Sequence, residues 1–375
     1  MNSDKEAGKK MKAGNKGQFL KAVFIAFLVA VTGSIIIFIN DSAVLNKKLT
    51  LSLSAAYVTP IDPDKVENEN NGRLVYITGK VYSPELLNDD DFGITVDAIH
   101  LKRIVEIYQW DQKITEKKEK LENGKEVDKK VYEYKKIWKN SLISSEHFND
   151  PVNHHNPKKV NYTSKWIIAG VVKVGVFSLD DVFVNKIPKE EQLTLDKIVP
   201  KQDSSNVTLK NNQIYIGKGT PGSPEIGDIR IYYNIVRPQE VSIIGKQKNN
   251  KIVTFEISGK RKINLIEPGI VSSDKMFKIE IESGMIKNWL VRIAGFILLL
   301  IGFAMLYSSM NKRFSNLKIF NIGNFKFSFL LSLIILSVII SMVWILYVTI
   351  TGIVFISVAV LSVILLFTAK PKSQQ

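Results

Sequence analysis

Ile293-Ala-Gly-Phe-Ile-Leu-Leu-Leu-Ile-Gly-Phe-Ala-Met-Leu-Tyr307 and, after a basic loop, the apolar run from Phe327 to Thr368 decide how this chain is read. A membrane-spanning helix needs roughly 20 apolar residues, about 30 Å at 1.5 Å per residue. The first segment supplies one span. The second is about twice the length of a span, so it predicts two helices joined by a tight turn. The turn is placed at Tyr347-Val-Thr-Ile-Thr-Gly352, where small and polar residues gather. No Asp or Glu follows Glu282. The chain is read as a membrane protein, and its other segments are read relative to this anchor.

Working outward, Phe19 to Ile39 is a further apolar run behind a lysine-rich tail carrying Lys5, Lys9, Lys10, Lys12 and Lys16. A basic region before an apolar one also describes a cleavable signal peptide. This run is longer than a signal core, and Phe38-Ile39-Asn40-Asp41 offers no small-residue cleavage site, so it reads as an uncleaved anchor. The expected organisation is a disordered, cytoplasmic basic tail at 1–18, a first transmembrane helix at 19–39 and a large domain at 41–288. Transmembrane helices follow at 291–309, 327–347 and 352–369, with a basic loop at 310–326 and a short tail at 370–375.

Charge supports that order. The 375 residues hold 51 Lys/Arg against 36 Asp/Glu, a net +15. Six of the basic and two of the acidic residues precede Asp41; seven basic and no acidic ones follow Asn288. The large domain is therefore only about +4, with 38 basic against 34 acidic residues. A nucleic-acid binder would concentrate its charge there. The excess lies beside the spans instead, at Lys312, Arg313, Lys318, Lys326, Lys370 and Lys372. The positive-inside rule places those flanks in the cytoplasm and the large domain on the other side. Trp289, Trp344 and Tyr347 fit the outer interface and Tyr307 the inner one, with Arg292 snorkelling from the outer edge. There is no cysteine, which excludes disulfides, thiol catalysis and thiolate metal sites.

The large domain is strand-like. Arg73 to Val81, Val105 to Trp110 and Val131 to Tyr134 are β-branched or alternating. Between the last two lies a charge-dense stretch with Asn123-Gly124, the dipeptide of a type I′ turn. It predicts a long hairpin from about Val105 to Trp138; a short charged helix at Lys113 to Glu122 is the alternative. Further strands are expected at Ile167 to Phe177, Gln213 to Gly217, Asp228 to Val236, Val241 to Lys246 and Ile252 to Ile257. A short helix is expected from Ser178-Leu-Asp-Asp181 towards Lys186, ended by Pro188. The fold class is thus an integral membrane protein with four transmembrane helices plus a β-rich α+β extracytoplasmic domain.

No catalytic constellation emerges from the residues. His147, His154 and His155 with Asp150 suggest a metal site, but their segment has turn composition and no helical His spacing. Asp89-Asp90-Asp91 and Asp62-Pro-Asp64 are acidic enough for calcium yet lack the EF-hand spacing. Gly217-Lys-Gly-Thr-Pro-Gly222 looks phosphate-cradling but lacks the Gly-Lys-Ser/Thr ending, so a turn is expected. Asn161-Tyr-Thr163 and Asn206-Val-Thr208 are glycosylation sequons if the compartment glycosylates. The last two spans carry Ser328, Ser332, Ser337, Ser341, Thr349, Thr351, Ser357 and Ser362 but no charge, which suits helix packing better than ion-coupled transport. A pore formed by oligomers, a lipid-handling subunit and an extracytoplasmic hydrolase or metalloenzyme remain as alternatives.

Five stretches taken in order carry a resemblance. They are Glu69-Asn-Asn-Gly-Arg-Leu-Val75 with Gly79; Val105-Glu-Ile-Tyr-Gln-Trp110; Tyr134 with Trp138; Phe148 with His154, Asn156 and Pro157; and Pro224-Glu-Ile-Gly-Asp-Ile-Arg230. Over nearly the whole chain the sequence resembles the LUMA (transmembrane protein 43) family, in a lysine-rich, cysteine-free form that looks like its bacterial members. The resemblance implies one N-terminal span, a lumen-side domain and three C-terminal spans, with no known catalytic activity, cofactor or metal. Animal members look like scaffolds of the endoplasmic reticulum and nuclear envelope that bind lamins and emerin-class proteins and self-associate. For a bacterial chain the implied location is the inner membrane, and lamins do not carry over. The partners it implies are membrane lipids, other membrane proteins and a homo-oligomer, without nucleic acid. The motif residues it marks, for fold or interaction, are Gly72, Arg73, Gly79, Glu106, Tyr108, Gln109, Trp110, Trp138, His154, Asn156, Pro157, Pro224, Gly227, Asp228 and Arg230.

Overall fold

The computed structural model describes residues 2–120, 126–195, 207–257, 261–314 and 323–368, with side chains from Gly17 onward except Lys312 and Phe314. The helices are, in chain order, α1 (Asn2–Ala55), α2 (Asp181–Val184), α3 (Ser273–Glu282), α4 (Met285–Phe314), α5 (Asn324–Trp344) and α6 (Thr349–Thr368). Two compact units result: Met1–Ala56 with Phe277–Gln375, and Tyr57–Met276.

In the first unit, four helical segments are long and apolar enough to cross a membrane: Gly17–Ala55, Ser273–Asn311, Asn324–Trp344 and Thr349–Thr368. α1 outruns the expected 19–39 at both ends. Its tail is helical from Asn2, where disorder is the expectation, because Ala, Lys and Met are strong helix formers. Past Ile39 the apolar pattern stops but the backbone does not, since 41–55 contains neither Gly nor Pro. The large domain accordingly begins near Tyr57, not at Asp41.

α1 meets α4 closely. A Cβ on Gly33 would lie 2.8 Å from the Gly295 carbonyl oxygen, and one on Gly302 would lie 2.8 Å from the Ala30 nitrogen. Small residues let the two backbones approach, the usual basis of helix association in lipid. Ile37, Leu299, Ile340 and Trp344 are buried around this contact. The link between α5 and α6 falls at 345–348, earlier than expected. Thr349 and Gly352 belong to α6, where Gly352 packs on Ile345 and its carbonyl accepts a hydrogen bond from the Ser341 hydroxyl at 3.1 Å.

The strands of the second unit are, in order, β1 (Thr59–Pro60), β2 (Leu74–Tyr82), β3 (Leu87–Asp89), β4 (Ile94–Val96), β5 (His100–Lys120), β6 (Glu126–Lys139), β7 (Lys165–Ile168), β8 (Lys173–Val174) and β9 (Phe177–Leu179). They continue with β10 (Glu190–Gln192), β11 (Val207–Lys210), β12 (Gln213–Ile216), β13 (Ile229–Val236), β14 (Gln239–Lys248), β15 (Lys251–Val253), β16 (Phe255–Ile257), β17 (Arg261–Ile263) and β18 (Leu265–Pro268).

β2, β8, β9, β15 and β14 close into a ring, because β14 pairs with both β15 and β2. β9 and β15 are parallel and the other four pairings antiparallel. Closure removes the sheet edges that would otherwise need covering. The single strand expected at 167–177 is broken into β7, β8 and β9, with Gly175 turning between the last two at φ +55°. Beside the ring lies a second sheet in the order β11-β12-β13-β5-β6, with β7 and β10 on its flanks. Its long arm is the expected hairpin, in register from Ile107↔Lys139 to Lys120↔Glu126, so the helical alternative at 113–122 is overturned as far as Lys120. The Asn123-Gly124 turn lies outside the described residues. One core, from Val75 through Leu101 and Phe183 to Ile252, joins ring and sheet.

Candidate functional site

Alternation along β5 sorts its residues onto two faces. Leu101, Arg103, Val105, Ile107 and Gln109 point to the core and are buried, while Glu106, Tyr108 and Trp110 stay half-buried on the other face. Pairing then sets their neighbours. Tyr108 stands opposite Trp138 and Trp110 opposite Lys136, and Glu106, Arg230 and Tyr215 line up across β5, β13 and β12. The Tyr108 and Trp138 rings are 5.1 Å apart, and Trp138 meets Tyr215 edge-on at 6.2 Å. The Arg230 guanidinium lies 4.6 Å from the Trp138 ring and donates to Glu106 at 2.6 Å. Lys136 covers Trp110 at 5.0 Å. The result is a ladder of stacked aromatic and cationic side chains on one partly exposed face.

The segment 141–157 straps one end of this ladder. His154 stacks on Tyr134 with centroids 3.5 Å apart and meets Trp110 edge-on at 4.7 Å. Asn156, 2% exposed, accepts from the Trp110 backbone N–H at 2.7 Å and donates to the Trp110 carbonyl at 2.8 Å. Gln109 does the same from the strand to the strap, donating to the Ser141 carbonyl at 2.7 Å and accepting from the Ile143 N–H at 2.8 Å. His154 is thus a stacking residue whose Nδ1 lies 3.1 Å from the Asp150 carbonyl oxygen. Pro157 follows Asn156 half-buried.

The other end is held by Asp228. Its carboxylate accepts backbone N–H bonds from Lys218, Gly219 and Glu225 at 2.9, 3.2 and 2.7 Å, and a bond from the Tyr215 hydroxyl. Burial and the adjacent carboxylate push the Tyr215 hydroxyl far above its usual pKa. Gly217-Lys-Gly-Thr-Pro-Gly222 therefore is an anion cradle, but the anion is the chain's own. A Cβ on Gly217 would stand 2.0 Å from Asp228 Oδ1. Gly227, at φ +98°, donates its N–H to the Tyr108 carbonyl at 2.9 Å and docks this loop, with Pro224, beside the ladder.

Gly72, Arg73 and Gly79 stand apart, on or next to β2 in the ring. Gly72 turns the chain at φ +86°, Arg73 is exposed, and Gly79 leaves room for Val174, whose Cγ1 would be 3.0 Å from an added Cβ. The acidic loop is likewise taken by the fold: Arg103 donates to both oxygens of Asp89 at 2.9 Å and to Asp91 at 2.6 Å, and Tyr233 adds a bond to Asp89 at 2.7 Å. Asp62 accepts from the Asp64 N–H at 2.9 Å in a turn. Among the described residues no three His, Asp or Glu gather in a way that could hold a metal.

Sequence reasoning missed a cluster in the helical unit. Asp41, fully buried, pairs with Arg292, and Trp344 donates its indole N–H to the same carboxylate at 2.8 Å. The guanidinium also lies 4.8 Å from the Trp289 ring. Arg292 therefore does not snorkel to water. A signal was present: an acid directly after the first apolar run and a base directly before the second.

The family model for transmembrane protein 43 matches residues 107–349. Transmembrane protein 43 of Homo sapiens is 26% identical over 313 residues, 78% of this chain and 77% of that protein. The protein of the same name in Pongo abelii is 26% identical over 314 residues, with the same coverage. The homolog in Drosophila melanogaster is 25% identical over 280 residues, 73% of each. No solved structure matches the chain at comparable significance.

Proposed function

The chain belongs to the transmembrane protein 43 family, and from that premise we propose that it is a non-enzymatic multi-pass membrane protein that organises a membrane protein complex through its β-rich unit. The observation that carries this reading is the aromatic ladder. Residues from separate stretches of the chain, Glu106, Tyr108, Trp110, Trp138, His154 and Arg230, come together on one half-exposed face. Trp, Tyr and Arg are the residue types that dominate binding energy at protein interfaces. Rigid rings held by stacking and by the Asn156 and Gln109 bonds lose little freedom on docking. The partner is another membrane protein, with a second copy of this chain as the self-associating case. In this reading the β-rich unit lies on the non-cytoplasmic side, which the positive-inside rule applied to the basic flanks supports.

The small polar residues of the last spans suit packing. Ser332 bonds the Ser328 carbonyl at 2.7 Å within its helix, and Ser341 bridges to Gly352.

The test is native mass spectrometry of the full chain purified in mild detergent, with Trp138→Ala and Arg230→Ala alongside. A stoichiometric protein partner or discrete homo-oligomer is expected for the unaltered chain and lost in the variants while their melting temperature holds. The same assembly in all three, or turnover of a substrate by the pure chain in lipid, overturns the reading.

A further inference from the structure

We propose that the groove between α1 and α4 holds an anionic phospholipid, its acyl chain in the slot and its phosphate on Arg313. The inference is independent of the aromatic ladder. Where Ala26 and Ala30 meet Gly302 the two helices nearly touch. Beyond that contact, large side chains hold them apart around a groove of about 480 Å³, lined by Leu20, Val23, Phe24 and Phe27 of α1 and Phe303 and Leu306 of α4. Among the described residues no charged side chain lines it. The slot lies within segments apolar enough to span a membrane, so its natural filling is hydrocarbon.

The mouth of the slot is cationic. Arg313 follows Leu306 by seven residues, two helical turns along the same face of α4. Its guanidinium lies 4.8 Å from the Phe19 ring, one residue before Leu20 of the lining. Stacking orients the guanidinium plane while its edge N–H donors, taken by no partner among the described residues, can meet a phosphate, a geometry that lysine does not reproduce. Lys21 is exposed one residue further along α1. No acid occurs after Glu282, and the N-terminal segment up to Lys21 carries six lysines against Asp4 and Glu6, so this end of the groove is basic by sequence. An apolar slot under a cation that has no acidic partner among the described residues selects a lipid with net negative charge over a zwitterionic one of the same chain length.

The experiment is native mass spectrometry of the full chain released from nanodiscs containing phosphatidylcholine and phosphatidylserine of matched chains. One phosphatidylserine per chain is expected to survive release in preference to phosphatidylcholine. Arg313→Gln lowers that preference about fivefold to tenfold, and Arg313→Lys restores part of it. Val23→Phe fills the slot and lowers retention of both lipids. Equal retention of the two lipids by the unaltered chain, an unchanged preference in Arg313→Gln, or a lipid-free dimer that buries the groove would each overturn the assignment.

Discussion

Asp41 of α1 and Arg292 of α4, 251 residues apart in the chain, form one buried ion pair with both carboxylate oxygens engaged; Arg292 Nε donates to Oδ2 at 3.1 Å and Nη2 donates to Oδ1. Removing one partner leaves the other charge buried and uncompensated, at a cost of about 3–5 kcal/mol. Asp41→Leu and Arg292→Leu should each lower the unfolding midpoint of the full chain in detergent. The double variant should recover much of the loss, because apolar residues tolerate that site. Additive losses in the double variant would show that the two side chains act separately.

Trp344 also touches this carboxylate, through its indole N–H at 2.8 Å. Trp344→Phe keeps an aromatic ring and deletes the donor. The expected cost is about 1.5–3 kcal/mol, typical of a hydrogen bond to a charged group. It should vanish in an Asp41→Leu background.

The close approach of α1 and α4 separates two glycines. A methyl on Gly295 would stand 2.5 Å from Ile37 Cγ1, whereas nothing lies within 4 Å of one on Gly17. Gly295→Ala should destabilise by about 1–3 kcal/mol through overpacking. Gly17→Ala should be neutral or stabilising by up to about 1 kcal/mol, since alanine is the better helix former. Thermal unfolding of both variants reads the difference.

Asp228→Asn tests the cradle. An amide nitrogen would then face one of the three N–H donors that now converge on the carboxylate. A loss of about 2–3 kcal/mol is expected, as for a buried hydrogen-bonded charge. Amide exchange should accelerate at Lys218, Gly219 and Glu225 before it does in the ring strands.

His100 gives the β-rich unit a pH dependence. It is 6% exposed at the start of β5, its Nε2 is buried with no hydrogen-bond partner among the described residues, and Trp166 meets it edge-on at 5.8 Å. Burial lowers its pKa, against the opposing influence of Glu190 and a hydrogen bond with the Val184 backbone. Below about pH 6.5 the unfolded chain therefore binds a proton that the folded one refuses. Stability should fall with pH below that point, by at most about 1.4 kcal/mol per pH unit for this one group. His100→Phe should remove that part of the slope, measured as unfolding midpoint against pH.

Much of the fold is legible along the chain. Phe19 to Ile39, Ile293 to Tyr307 and Phe327 to Thr368 announce spans through length and hydropathy alone, which are local quantities. The alternation from Val105 to Trp110 likewise announces a strand and fixes which residues share a face. Where local signals disagree the boundaries move: α1 runs past Ile39 because a change in hydropathy does not end a helix whose continuation, 41–55, lacks Gly and Pro. Residues such as Trp138 and Arg230 could be singled out in the sequence, but not the ladder, since Trp138 meets Arg230 only through the registers of three strands.

The sequence by itself determined the apolar helices, the strand faces and the nearly balanced charge of the β-rich unit, because each is read directly from the order of residues in the chain. Tertiary structure alone decided that β14 closes a ring with β2, that Asp228 occupies the glycine loop, and that Asp41 meets Arg292. Those contacts join residues that only a particular packing brings together. Their partners are chosen by what a buried charge or open strand edge finds nearby, not by what precedes it in sequence.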